Sequence, residues 1–146
     1  MNNKVCIIPQ ILLLLWFFLD MIGVYFDDSY LVTRSYKEDG IWFIIYLIAV
    51  LLFIFKEKIG KWAVAVWSSI WFLMQFMNHE WITIFGDGFM GKTENKKKFF
   101  SESLKWIEIE DRYVPDVYHT ILQIFILAVV ITSITYIRKT RKSKVK

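Results

Sequence analysis

The sequence predicts an all-α integral membrane protein, a single domain built as a four-helix transmembrane bundle with both termini in the cytoplasm. Two observations support this prediction. Apolar residues make up 56% of the 146-residue chain, and they are gathered into four blocks separated by charged segments. Basic residues are concentrated in the segments that a four-span topology places on one side of the membrane, which is the usual pattern of cytoplasmic loops.

The four apolar blocks are the predicted spans, at residues 5–26, 41–55, 62–85 and 117–137. A hydrocarbon core of about 30 Å needs roughly 20 helical residues, and three of the blocks meet that length. The second block, IWFIIYLIAVLLFIF, is short, and we expect it to span if Lys56 extends its amine outward and the bilayer thins locally. A soluble bundle is the alternative, but its helices would need polar faces, and the second block has none.

The first block is expected to be retained rather than removed as a signal peptide. It follows a short MNNK start, but large residues and Asp20 stand where a cleavage site of small residues would be needed. Cys6 is the only cysteine, which excludes an intramolecular disulfide and a paired-thiol redox site. We interpret Cys6 as a small apolar side chain of the first span.

Loop charge sets the predicted orientation. The N-terminal segment, the loop between the second and third spans and the tail at residues 138–146 are basic, so we place them in the cytoplasm. Residues 27–40 and 86–116 carry mixed charge and form the outer loops. The net charge of +4 is therefore a topology signal and gives no reason to expect nucleic acid. The basic tail is a candidate contact for anionic lipid, and we expect the protein in the plasma membrane.

Residues 86–93, GDGFMGKT, match the phosphate-binding pattern G-x-x-x-x-G-K-[ST]. A working P-loop lies between a strand and a helix of a parallel sheet and is joined by a carboxylate that holds Mg²⁺. Here the match follows a predicted membrane helix and faces away from cellular ATP. We interpret it as a coincidence and predict no nucleotide site. Gly86, Gly88 and Gly91 are expected to end a helix and turn the chain.

Polar side chains within the spans form the candidate site, because charged groups in a bilayer are costly and usually mark a function or a buried pair. Four ionisable residues on three different spans lie within roughly 10 Å of the outer ends of those spans, at about 1.5 Å per residue. They are Asp20, His79, Glu80 and His119. Helical periodicity also places polar side chains on one face of the third span and one face of the fourth. We predict an outer-leaflet ligand pocket formed by Asp20, Gln75, Asn78, His79, Glu80, Asp116, His119, Thr120 and Gln123.

Several chemistries fit this predicted pocket. Asp116 and His119 lie one helical turn apart, and with His79 and either Glu80 or Asp20 they form a candidate site for zinc, iron or manganese. The two histidines are also candidate ligands of a haem held between helices. A proton relay, a pocket for a polar lipid headgroup and simple hydrogen bonding between helices are the other interpretations.

The long outer loop, residues 86–116, is expected to lie on the membrane surface. Phe100, Leu104 and Ile107 have the i, i+4, i+7 spacing of a short amphipathic helix, and WIEIE alternates like an extended segment. Trp106 and Tyr113 are expected at the membrane interface. The loop is either a lid or belt over the pocket, or a surface for an external protein or peptide partner.

The sequence favours a non-enzymatic accessory, immunity or regulatory membrane protein that binds a lipid, a peptide or a partner in the outer pocket. The chain is small, its outer loop is large, and no catalytic motif such as H-E-x-x-H occurs. The alternative is a small metal- or haem-dependent membrane enzyme or redox protein that uses the cluster around His79 and His119. Whether the protein is an enzyme is therefore left open at this level.

Overall fold

The computed structural model describes residues 3–87, 91–110 and 112–142. These ranges are mostly helical, with one short hairpin near the end of the first helix. The elements follow in chain order as α1 (Asn3–Ile22), β1 (Val24–Tyr25), β2 (Tyr30–Val32), α2 (Tyr36–Phe55), α3 (Glu57–Asn78), α4 (Glu80–Phe85), α5 (Thr93–Phe99) and α6 (Val117–Lys142).

Three helices are long and apolar enough to cross a membrane. They are Val5–Ile22 of α1, Tyr36–Phe55, which is the whole of α2, and Val117–Arg141 of α6. The helix α3 has 22 residues, which is long enough, but it is not among the three helices that are apolar enough by composition. The predicted membrane class and the predominantly helical fold are confirmed to this extent.

The helix α2 is longer than the apolar block that predicts it. The block begins at residue 41, whereas α2 begins at Tyr36 and has 20 residues. Glu38 and Asp39 lie in its first turn, where acidic side chains are favoured by the helix dipole. Their N–H groups donate to the carbonyl oxygen of Ser35 at 3.1 and 2.8 Å. This helix therefore reaches the usual spanning length by including the polar residues of its first turn.

The third apolar block, residues 62–85, is interrupted by a break in the helix. The helix α3 ends at Asn78, His79 has non-helical angles (φ −121°, ψ −66°), and α4 begins at Glu80. The hydroxyl and the N–H of Thr83 both donate to the carbonyl oxygen of His79, at 3.0 and 3.1 Å. The break leaves the His79 side chain only 1% exposed.

The first outer loop contains a hairpin that the sequence pattern does not predict. The helix α1 ends at Ile22, four residues before the end of the apolar block, and Gly23 follows with φ of 75°. The strands β1 and β2 then pair antiparallel, with Val24 opposite Val32. These strands have only two and three residues, so an alternation of apolar and polar residues cannot be recognised in them.

The four long helices pack side by side: α1 and α3 each contact both α2 and α6. At the turn from α2 into α3, a Cβ atom on Gly60 would overlap the backbone of Phe53, so only glycine permits this close approach. An aromatic cluster lies at the centre of the packing. The ring of Trp71 is 4.6 Å from that of Phe17 and 5.6 Å from that of Tyr46, which joins α3 to both α1 and α2.

The amphipathic helix predicted from Phe100, Leu104 and Ile107 is wrong in position. The helix of this loop is α5, and residues 100–107 form turns and isolated backbone bridges. The N–H of Leu104 donates to the carbonyl oxygen of Tyr30 at 2.8 Å, so pairing with β2 satisfies a backbone group that a helix would have used. Phe100 is buried, whereas Ile107 is 64% exposed. The WIEIE segment forms no strand among the described residues.

Candidate functional site

A cavity of about 720 Å³ lies where α1 and α3 end and where α2 and α6 begin. Its volume is in the range of about 300–1,000 Å³ that is typical of small-molecule sites. Six of the nine predicted pocket residues line it: Asp20, Gln75, Asn78, His79, Asp116 and His119. Sequence reasoning missed a further set on β2, α2 and the α5 region, which includes Tyr30, Ser35, Glu38, Asp39, Trp42, Lys92 and Lys96.

The other three predicted residues, Glu80, Thr120 and Gln123, do not line this cavity. The hydroxyl of Thr120 donates to the carbonyl oxygen of Asp116 at 2.8 Å, within its own helix. One side-chain oxygen of Glu80 and one of Gln123 are buried without a hydrogen-bond partner among the described residues. Glu80 begins a new helix after the break, so the periodicity of α3 does not apply to it.

Two stacked histidines occupy one side of the cavity. The rings of His79 and His119 have centroids 4.1 Å apart and planes inclined by 25°. The Nδ1 atom of His79 lies 2.5 Å from the hydroxyl of Tyr113, and its Nε2 atom lies 3.4 Å from Nδ2 of Asn78. The Nδ1 atom of His119 lies 2.8 Å from Oδ1 of Asp116. The same Oδ1 atom accepts a hydrogen bond from the backbone N–H of His119 at 2.8 Å.

The described residues do not form a complete metal or haem site, so the predicted site stays a prediction. Two rings stacked at 4.1 Å leave no room for a haem plane between them. The Nδ1 atoms of both rings already contact Tyr113 or Asp116. Within the part of the chain that the structure describes, no three His, Cys, Asp or Glu side chains form a group that could hold a metal ion. The candidate ligand Glu80 is not on the cavity wall.

Tyr113 is buried beside His79 rather than placed at the membrane interface. Its side chain is 2% exposed, and its ring packs against Phe100 with a centroid distance of 5.9 Å. Burial raises the pKa of the Tyr113 hydroxyl, and the nearby Asp116 and Glu80 carboxyls raise it further. The hydroxyl therefore stays protonated and is available to donate to His79. The two partners are 34 residues apart, and no local pattern distinguishes this tyrosine from an interfacial one.

An acidic wall, formed by Asp20, Glu38 and Asp39, lines one part of the cavity. The carboxyl of Asp20 interacts with that of Asp39 and with the Ser35 side chain. The N–H of Ser35 also donates to the carbonyl oxygen of Asp20 at 2.9 Å, which ties the end of α1 to the start of α2. Among the described residues, no lysine or arginine forms an ion pair with these three carboxyl groups.

A basic wall, formed by Lys92 and Lys96, lines another part. The amine of Lys96 donates to Oδ1 of Asn78 at 2.5 Å and lies 5.8 Å from the centre of the Phe100 ring. Burial lowers the pKa of Lys96, because desolvation disfavours its charged form. The histidine pair lines the same cavity as the two walls.

The P-loop match lies between two short helices. Gly86 ends α4 with φ of 83°, and Gly91 has φ of 130° in the turn before α5, as expected for residues that turn the chain. Gly88 lies outside the described residues. A carboxylate oxygen of Asp87 accepts a hydrogen bond from the N–H of Thr93 at 2.7 Å, and this bond holds the pKa of Asp87 below its usual value. The N–H group of Thr93 at the start of α5 is therefore already hydrogen-bonded to another residue of the protein.

No family model, curated protein or solved structure matches this chain. The cavity is therefore the basis for the functional proposal.

Proposed function

We propose that this chain is a non-enzymatic membrane protein that binds a small polar ligand in the outer cavity, in an accessory, immunity or regulatory role. The observation that supports this proposal most is that five helices contribute polar side chains to one cavity of about 720 Å³. Burying polar groups costs free energy unless they gain partners. Some of these side chains contact each other, as Lys96 does Asn78, but the acidic wall and the amide of Gln75 line a space of ligand size without such partners.

We further propose that α3 crosses the membrane as a fourth span. Five residues on its outward surface are apolar and between 46% and 61% exposed: Ile59, Trp62, Val66, Ile70 and Leu73. Its buried face instead includes Lys61, Ser68 and Gln75. A helix on the surface of a soluble protein has the opposite distribution, with polar residues outward. Apolar residues facing outward and polar residues facing inward are expected of a helix surrounded by lipid.

In this proposal the protein lies in the plasma membrane, with both termini in the cytoplasm and the cavity on the outer side. The turn between α2 and α3 is basic, and α6 continues beyond its apolar stretch to Lys142. The basic end of α6 contacts anionic lipid headgroups. Residues 86–116 remain the proposed surface for an external protein or peptide partner, because Trp106, Ile107 and Ile109 are 46–64% exposed there.

The test of the proposed function is to look for a bound ligand. The protein is purified in a mild detergent and analysed by native mass spectrometry, and small molecules released on denaturation are identified. We expect a polar compound whose occupancy falls in Asp39→Asn and Lys96→Gln. The matched exposed controls, Asp28→Asn and Lys98→Gln, should retain it. Wild-type protein that is empty and that no polar compound stabilises against heat would contradict the proposal.

A further inference from the structure

We propose that the ligand of the outer cavity is zwitterionic, with an ammonium group bound by the acidic wall and a phosphate group bound by the basic wall. This inference rests on the proposed ligand-binding function and defines the chemical class of the ligand. A phosphoethanolamine group has this chemistry, either as the headgroup of a membrane lipid or as a free molecule.

The acidic wall has no ion pair with a lysine or arginine among the described residues, and Arg34, which also lines the cavity, places its guanidinium over the ring of Tyr36. Asp20 is 5% exposed, and its carboxyl interacts with that of Asp39, yet among the described residues neither forms an ion pair with a basic side chain. Two adjacent carboxyl groups share a proton unless a positive charge lies beside them, and such a charge lets both ionise. An ammonium group supplies one charge and three hydrogen-bond donors. The carboxyl groups do not form a metal-binding group, which favours an amine over a metal ion.

Aromatic side chains lie beside the acidic wall. Phe17 precedes Asp20 by three residues on α1, and Trp42 follows Asp39 by three residues on α2, so each aromatic ring is one helical turn from a carboxyl group. Phe17 and Trp42 both line the cavity. The faces of aromatic rings attract cations, and this attraction strengthens when the cation is removed from water. Carboxylates and aromatic rings together favour an amine at this position.

A buried donor without a partner lies near the basic wall. The side chain of Gln75 is 9% exposed and lines the cavity, and its Nε2 atom has no hydrogen-bond partner among the described residues. Gln75 precedes Asn78 by one helical turn, and Asn78 is the residue that accepts from the Lys96 amine. A phosphate group accepts hydrogen bonds through several oxygens and is negatively charged. A phosphate group would form ion pairs with Lys92 and Lys96 and would also accept a hydrogen bond from the Gln75 amide.

The unpaired hydroxyl of Tyr118 points to the same kind of ligand. Tyr118 is 1% exposed, it lines the cavity, and its oxygen has no partner within the described ranges. Its ring stacks on that of Trp16, which lies one helical turn before Asp20 on α1, so Tyr118 packs against the helix that carries part of the acidic wall. A hydroxyl oxygen can accept a hydrogen bond from an ammonium group. One unpartnered group therefore lies near each wall, as a ligand with two opposite charges requires.

The test compares lipids that share a phosphate group and differ in the group attached to it. Delipidated protein in detergent is titrated with short-chain phosphatidylethanolamine, phosphatidylcholine and phosphatidylglycerol, and binding is followed by native mass spectrometry. The choline group of phosphatidylcholine is positively charged but has no N–H donors. Phosphatidylglycerol has no ammonium group. We expect phosphatidylethanolamine to bind at least about tenfold more tightly than either, because hydrogen bonds to charged groups are lost in both.

Variants assign each charge to its wall. Asp39→Asn should reduce the preference for phosphatidylethanolamine over phosphatidylglycerol by about tenfold, and Lys96→Gln should weaken phosphatidylethanolamine binding by a similar factor. Asp28→Asn and Lys98→Gln, which change exposed residues in the same way, should bind like wild type. If Asp39→Asn fails to fold, Glu38→Gln tests the same wall.

Free phosphoethanolamine and free ethanolamine complete the test. Competition by free phosphoethanolamine supports the proposal with a soluble ligand, whereas binding of the lipid alone supports it with a membrane ligand. Equal binding of ethanolamine and phosphoethanolamine overturns the role of the basic wall. Equal binding of the three lipids, or a preference for phosphatidylglycerol, overturns the zwitterion while the cavity still functions as a binding site. Protein that binds none of these compounds, is purified empty and is stabilised by no polar compound overturns the proposed function as well.

Discussion

At the scale of single residues, the orientation of His79 depends on a partner from a distant part of the chain. The hydroxyl of Tyr113 lies 2.5 Å from the Nδ1 atom of His79, and the ring of His79 stacks on that of His119. Both His79 and Tyr113 are almost completely buried. A buried ring nitrogen that loses its partner bears the cost of desolvation without compensation.

Tyr113→Phe is therefore expected to destabilise the protein by about 1–3 kcal/mol while preserving the packing of the ring. Chemical denaturation of the detergent-solubilised protein, followed by circular dichroism, measures the change. Tyr36→Phe is the matched control, since Tyr36 is 47% exposed and should tolerate the same deletion. Equal stability of the two variants would show that the His79–Tyr113 contact contributes nothing to folding.

Single residues also show where sequence reasoning succeeds and where it stops. Periodicity and depth predict Asp20, Gln75, His79, Asp116 and His119, and all five line the same cavity. The periodic argument works because each of them lies in or next to a long helix. Residues such as Lys96 and Asp39 could not be predicted, because the chain brings them to the cavity through contacts that no local spacing encodes.

At the scale of elements, the close approach of α2 and α3 depends on one glycine. A Cβ atom at position 60 would overlap the backbone of Phe53, so the helices would have to separate or unwind locally. Rigid backbone on both sides of the contact cannot adjust as a flexible side chain would. The geometry of the turn is therefore determined by the absence of a side chain.

Gly60→Ala should destabilise the protein by about 1–3 kcal/mol, the usual cost of overpacking. Gly40→Ala provides the control, because a Cβ atom there meets nothing within 4 Å. As Gly40 lies within α2, alanine at that position is expected to be neutral or to stabilise by up to about 1 kcal/mol. Thermal melting of both variants distinguishes them, and a Gly60→Ala variant as stable as Gly40→Ala would contradict the prediction.

Elements also differ in how well the sequence predicts them. The long apolar helices α1, α2 and α6 are predicted because hydrophobic length alone determines them. The break at His79 and the position of α5 are not predicted, because the contacts made there come from distant parts of the chain. The pairing of Tyr30 with Leu104 is one example, since the two residues are more than seventy positions apart.

At the scale of the whole molecule, the arrangement in the membrane has a direct test. Single cysteines are introduced by Asp28→Cys, Lys58→Cys and Glu94→Cys in a Cys6→Ser background, and intact cells are treated with an impermeant maleimide. All three positions are exposed. We expect labelling at positions 28 and 94 in intact cells and at position 58 only after permeabilisation. Labelling at both 58 and 94 from the same side would show that α3 does not cross the membrane.

The stacking of the first span on the last has a consequence for how the protein is made. The ring of Trp16 packs on Tyr118 at 5.6 Å and donates to its carbonyl oxygen, across 102 positions of sequence. In the proposed arrangement, the spans that carry Asp20 and His79 are synthesised before Asp116 and His119. A chain interrupted before α6 would leave polar groups of its outer half facing lipid, at a cost in free energy. We therefore expect chains that stop before α6 to be less stable in the membrane than the complete chain.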